Sequence, residues 1–478
     1  MDNAGAGAAT FTVTPAARDA PGARRRWIAL LVVSSLLTAS VFLHLPGVNG
    51  PDYWEWAWQR LDAPRAFAFT ALAALPFFAG QYVRSRRPRD LRLALLLVSL
   101  SMFLLEIVCA GLYSRPFGLA RVPEIIESPL ATSYYSVAAS LSGGPHARHA
   151  LEILRAFPDL TPSLPYHATT KPPGPVLFHY ALIKLLGVGP PSSLAAGLVI
   201  GALAAFGVPL TFLLLRRLLG DAEAAFHGAS FYALCPGLIL FFPQFDQIYP
   251  LFTCALALSW SLALEGRGSL YAVCFGVVLS LATFMSYTLL TLGIFLGGYT
   301  LAAAARGWGG CDFARAARRV FVSLLVVALF YAALRLLAGF DPIRTFTTAL
   351  SNQSVALSVL KRPYPRSVPW DLYDFALGTG WLGFLLASFR VGRQLGGERG
   401  GRELCLSLLA VGQILGLAAS GLMQTETSRV WLFMTPLLAI PVGAELRRWK
   451  FTHQLTTYFC LWLILAAVHQ NMVFLNSK

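Results

Sequence analysis

The chain has 478 residues, 56% of them apolar and only 13% charged. Soluble domains carry about 25% charged residues, so a solvated surface of ordinary extent is excluded. The net charge of +15 does not imply nucleic acid, because the basic residues stand in short clusters between apolar runs, the pattern of the positive-inside effect.

Residues 1–26 are rich in Ala and Gly and end on Arg24, Arg25 and Arg26; they read as a disordered cytoplasmic tail. The next run is long for a cleavable signal and lacks a good cleavage site, so it is an uncleaved first span. Apolar runs near 20 residues predict about thirteen transmembrane helices, over 27–48, 66–83, 93–112, 193–215, 225–243, 249–265, 269–287, 288–305, 320–338, 371–390, 404–423, 430–446 and 455–474. The expected fold class is therefore an all-α polytopic membrane protein. Residues 27–92 form an N-terminal hairpin, 93–446 a membrane core, and 447–478 a C-terminal span.

The segment 175–187 decides the topology. Its roughly 13 residues make about 20 Å of helix, against about 30 Å of hydrocarbon. It also carries His179 and Lys184. Counted as a span, it would turn the later basic clusters outward. It is therefore placed as a short helix at the outer interface. A large outer loop then covers 113–191, and a second covers 339–370. The N-terminus is cytoplasmic, and these loops face the extracytoplasmic side of the cell (inner) membrane. No internal repeat is visible, which disfavours a transporter of inverted halves. A multi-pass transporter or lipid-linked sugar flippase stays as the alternative. Seven cysteines show no metal or disulfide spacing, and no metal or cofactor is expected.

In the first outer loop, Tyr166-His167-Ala-Thr-Thr-Lys171-Pro172-Pro173-Gly174-Pro175 stands out. The prolines fix the backbone and disfavour helix before them. Lys171 is thus held on a rigid turn, where an ammonium meets lipid phosphate, or else snorkels at a helix entry. His167 either orients a phosphate or acceptor, or caps the turn. Asp246, between two apolar runs, is costly unless it faces a polar cavity or a partner; a helix cap or a structural ion pair is the other reading. Arg429 opposes the positive-inside bias and needs a local reason, a donor phosphate or Glu426. Glu106, inside the third span, is expected to pair with Arg335. His146 and His149 read as a surface helix. The stretch from Asp52 to Trp58 reads as an aromatic belt. Arg362 to Arg366, with Trp370 and Asp371, reads as a flap or an anchor.

A long first outer loop with Lys171-Pro172-Pro173 before a short helix, in a chain of many spans, resembles the GT-C glycosyltransferases. The likeness is strongest to the branch of protein O-mannosyltransferases and the lipid A aminoarabinose transferase. It covers roughly 93–446. The resemblance implies a sugar taken from a polyprenyl-phosphate donor lipid and transferred with inversion, on the outer face, to an acceptor that is a lipid, a glycan or a protein. It implies a donor-phosphate contact from Lys171; Arg429 and His167 stand as further phosphate candidates on the reading of the residues given above. The family's early acidic residue precedes a Tyr and a helix. Here Tyr134 and Tyr135 are present but the usual Asp spacing is not. Glu127 is the nearest candidate for the general base, followed by Glu124; Asp246 is the next acid in line, as an acceptor-binding or auxiliary group. Membrane lipids are the remaining expected partners.

Overall fold

The computed structural model describes residues 22–114, 116–143, 148–266, 268–359, 364–397 and 401–475. Most of the expected tail, together with His146 and Arg362, lies outside the described residues. The chain is helical. The β-structure among the described residues is a two-strand antiparallel tie, Ala57–Trp58 with Met472–Val473.

Nine of the described helices are long and apolar enough to cross a membrane, and a tenth counts if one bent pair is a single span. The chain is an integral membrane protein on this composition. The expected thirteen differ from this count because several apolar runs are broken. The run 225–243 stops at Ala233, and a short helix Pro236–Leu240 follows. Pro236 has no N–H and pushes Cys235 to extended backbone, as observed. The run 371–390 falls in Ser367–Gly378 and Leu382–Leu395, which meet at 105°. Gly380 and Trp381 turn the chain there with positive φ. Leu270–Met285 and Leu432–Leu446 are apolar but short. The segment placed at the interface is a helix, Gly174–Leu186, of 13 residues.

The outer loop 113–191 is itself largely helical: Arg121–Glu127, Tyr134–Ser142, Ala150–Leu160, Tyr166–Thr169 and Gly174–Leu186. The long helix Pro190–Leu219 stands at the centre, against Leu91–Gly111, Ala222–Ala233 and Tyr249–Leu264. Small residues let these helices approach closely, as helices in lipid require. A Cβ on Gly207 would lie 2.2 Å from the Tyr232 hydroxyl, and one on Gly443 would lie 2.2 Å from the Ala224 carbonyl oxygen.

The N-terminal hairpin is not free-standing. Ala23–Phe42 packs along Phe451–Asn471, where Trp27 stacks on His453 at 4.4 Å. Ala63–Arg86 packs on both Leu91–Gly111 and Phe451–Asn471. The first helix begins at Ala23, so Arg24 to Arg26 form its first turn rather than the end of a tail.

Many basic residues at one end of the bundle are paired. Glu265 meets Arg217, Arg402 at 2.6 Å and the Tyr299 hydroxyl at 2.6 Å. Glu403 meets Arg390 and, at 2.8 Å, Arg447, which also reaches Asp221 at 2.6 Å. Glu445, fully buried, meets Arg26 at 3.2 Å, Arg393 at 3.3 Å and the Trp449 indole N–H at 3.0 Å. The expected Glu106–Arg335 pair does not form. Arg335 pairs with Asp341 at 3.1 Å, just beyond its own helix end. Glu106 is buried near Gly201, and among the described residues neither carboxylate oxygen has a hydrogen-bond partner. The helix of Arg335 packs on Leu270–Met285, away from Glu106.

Candidate active site

Tyr249–Leu264 runs from Asp246 at one end to Glu265 at the other. Its 16 residues span about 24 Å. The ion-paired layer and Asp246 therefore lie at opposite ends of the bundle. At the Asp246 end a cavity of about 310 Å³ opens. Six segments build it: Thr132 to Tyr134, Tyr166 to Lys171, Asp246, Tyr287 to Thr291, the helix Pro342–Val359, and Leu422 to Val430.

The Lys-Pro-Pro-Gly turn is anchored by its glycine. A Cβ on Gly174 would stand 2.4 Å from the Phe284 carbonyl oxygen and 2.6 Å from Met285 Sδ. The turn thus rests on the last residues of Leu270–Met285. The chain just beyond, Ser286 and Thr288, receives Lys171. Its Nζ donates to Thr288 Oγ1 at 3.0 Å and to Ser286 Oγ at 3.4 Å, and lies 5.9 Å from the Tyr249 ring centre. Among the described residues no carboxylate forms a salt bridge with Lys171. Burial lowers its pKa; Asp246 opposes that shift and Arg429 adds to it.

Asp246 sits on a single 3-10 turn, Phe245–Ile248, and is buried. No side chain caps the start of the Tyr249–Leu264 helix, so the cap reading of Asp246 does not hold. Its Oδ2 is 3.9 Å from Arg429 Nε. Arg429, also buried, is on the short helix Thr427–Val430 and pairs with Glu426. Both readings of Arg429 are thus compatible: it is partnered, and it faces the cavity. His167 lines the same cavity, with its pKa brought down to about 4 by burial first and by Arg429 next. At neutral pH it is an uncharged imidazole.

The charged lining is Lys171 and Arg429 against Asp246 and Glu426. The apolar lining is Leu290, Phe346, Ala349, Leu350, Leu422, Met423 and Val430. Phe346 packs on Tyr287 at 5.0 Å, and Asn352 holds Thr169 Oγ1 at 2.6 Å, so the helix Pro342–Val359 is tied across the cavity. Among the described residues no group of three or more His, Cys, Asp or Glu is placed to hold a metal ion.

Four of the six residues chosen from sequence meet here: Lys171, His167, Asp246 and Arg429. Glu127 and Glu124 do not line the cavity, so the expected convergence of Glu127 with Lys171 and Asp246 does not occur. Glu127 accepts a hydrogen bond from Ser193 Oγ at 2.6 Å, at the start of the Pro190–Leu219 helix. Glu124 is exposed and pairs with Arg121 at 3.0 Å. Sequence reasoning passed over Ser286 and Thr288. The signal was there, because they are the polar residues at the junction of the expected spans 269–287 and 288–305.

Fold and cavity together define a polytopic, mostly helical membrane protein with a charged recess at the end away from its ion-paired layer. Over 80% of its length the chain is similar in structure to the archaeal oligosaccharyltransferase AglB from Archaeoglobus fulgidus, in complex with an inhibitory peptide and a dolichol-phosphate. The TM-score is 0.52 and the identity 15%. A second structure of the Archaeoglobus fulgidus oligosaccharyltransferase, a complex with Zn and sulfate, has a TM-score of 0.41 and 13% identity over 79% of this chain. The chain spans only 56% and 53% of those two proteins' lengths. No protein-family model and no curated protein sequence matches the chain.

Proposed function

We propose that the chain is an inverting membrane glycosyltransferase that takes a sugar from a polyprenyl-phosphate donor and delivers it to an acceptor hydroxyl on the outer face of the cell membrane. The observation that carries the reading is a cavity lined by both Lys171 and Asp246 in a fold similar to that of an oligosaccharyltransferase in complex with an inhibitory peptide and a dolichol-phosphate. The apolar lining suits a lipid tail, and the polar lining suits a phosphate and a sugar.

In this reading Asp246 is the general base. It accepts the acceptor's hydroxyl proton while that oxygen attacks the anomeric carbon. The bond from the anomeric carbon to the phosphate oxygen breaks, and the lipid phosphate leaves with the electron pair. Lys171 and Arg429 stabilise the leaving charge, and neutral His167 contributes a hydrogen bond. Glu127 and Glu124 have no part in it. Arg429 is paired with Glu426 and lies beside Asp246, while the direct contacts of the Lys171 ammonium among the described residues are two hydroxyls and a ring. The basic layer at the other end of the bundle favours that end as cytoplasmic and the cavity as extracytoplasmic.

The test is transfer of radiolabelled sugar from polyprenyl-phosphate donors in membranes holding the wild type or Lys171→Ala. Transfer by the wild type and its loss in the variant are expected. No transfer from any donor, or equal transfer by both proteins, would sink the proposal.

A further inference from the structure

The segment that carries Glu426 and Arg429 is held from behind the cavity. Thr425 and Glu426 both have left-handed backbone, with φ 61° and 49°. Non-glycine residues keep that conformation only where the surroundings impose it. Two buried carboxylates, one helical turn apart on Ser367–Gly378, do so. Asp371 Oδ1 accepts the Thr425 N–H at 2.7 Å. Asp374 Oδ2 accepts the Ser428 N–H at 2.8 Å and the Thr427 hydroxyl at 3.2 Å. Gly378 allows the contact, since a Cβ there would lie 2.8 Å from Ser428 Cα.

The second oxygen of Asp374 is satisfied from far away in the chain. Oδ1 accepts the indole N–H of Trp56 at 2.7 Å. Trp56 belongs to the loop between the first two helices, outside the core that resembles the GT-C enzymes. It is buried and packs on Phe241 and Phe474, with ring centres 5.4 and 4.7 Å away. Asn49 closes the loop around it, donating to the Trp56 carbonyl at 2.9 Å. A buried carboxylate needs partners for both oxygens. Without the indole, Asp374 would have reason to turn away from Ser428.

We infer that Asp374, seated by Trp56, is a positioning residue that fixes the Arg429 guanidinium in the cavity, which makes the first loop part of the frame of the site. What Arg429 meets there rests on the donor reading above; the positioning itself does not. Asp374→Asn puts an NH2 against one of the N–H donors, and Trp56→Phe removes the indole N–H and keeps a ring. Both are made in the full-length protein in lipid nanodiscs. Amide hydrogen exchange over 425–428 reports the geometry, and undecaprenyl phosphate is the binding probe. Each variant is expected to speed exchange there and to weaken binding about tenfold, as loss of a hydrogen bond to a charged group does. That weakening should vanish in an Arg429→Gln background and persist in a Lys171→Ala background. Unchanged exchange, or penalties that add fully to Arg429→Gln, overturns the inference. If the wild type binds no undecaprenyl phosphate while exchange responds as expected, the donor reading fails and the positioning stands.

Discussion

Lys171 is the residue at which burial and charge compete most openly. Its ammonium loses hydration on entering the cavity, and two hydroxyls and a tyrosine face replace only part of it. In the proposed reaction a lipid phosphate would supply what is missing. With its pKa lowered by burial, Lys171 should lose its proton at lower pH than an ordinary lysine. Transfer is then expected to decline on the alkaline side, and Lys171→Arg should move that decline upward while keeping part of the activity. A pH profile of kcat/KM for the two proteins checks this. His167, its pKa brought down to about 4, should add no step near its ordinary value of about 6.5; such a step in donor binding would contradict a half-buried, neutral imidazole. For the base, the comparison is Asp246→Asn against Glu127→Gln. Loss of a general base costs roughly 10²–10⁴ in rate, and Asp246→Asn should fall in that range. Glu127→Gln should stay within a few-fold. The reverse order would return the role to Glu127.

At the scale of elements, the Lys-Pro-Pro turn and the junction after Leu270–Met285 form one device. The prolines stiffen the turn, and Gly174 lets it seat on Phe284 and Met285. Gly174→Ala inserts a methyl 2.4 Å from a carbonyl oxygen, and a clash of this kind typically costs about 1–3 kcal/mol. A lower melting temperature and a raised donor KM are expected together, because the displaced turn carries Lys171 with it. Normal stability with normal KM would show that the close approach does not matter. Much of this region is legible in the sequence, because proline and glycine act locally. The breaks at Pro236 and at Gly380-Trp381 were harder to read. An apolar run reports burial from water but not whether its helix is continuous. The choice between Glu127 and Asp246 was hidden for a related reason. A sequence places Glu127 before Tyr134 and Tyr135, yet it cannot say that Ser193 of a distant helix captures its carboxylate.

On the scale of the whole molecule, the basic clusters do two things. Their asymmetry favours one orientation in the membrane, and their partners lock helix ends together. Glu445 holds three donors from three parts of the chain, Arg26, Arg393 and Trp449. Glu445→Ala removes a fully buried anion from two half-buried arginines and an indole N–H, a loss of about 1.5–3 kcal/mol, as for a hydrogen bond to a charged group. A markedly lower melting temperature is expected, with turnover per folded molecule unchanged. Orientation is tested by cysteine labelling in intact cells. Ser163→Cys, exposed near the cavity end, should react with an impermeant maleimide. Arg89→Cys, exposed near the paired end, should react only after permeabilisation. The opposite pattern would invert the topology and remove the argument for an outer-face reaction.

The sequence by itself determined that this chain lies in a membrane as a helical bundle, because hydropathy and charge asymmetry are properties of composition along the chain. It also singled out Lys171, Asp246 and Arg429, since charge against an apolar background is visible without any contact. Only the tertiary structure decided that these three share one cavity and that Glu127 does not. It alone joined Trp56 to Asp374 across 318 residues. Those pairings depend on which helix faces meet, and that is set by packing of the whole bundle rather than by any local run of residues.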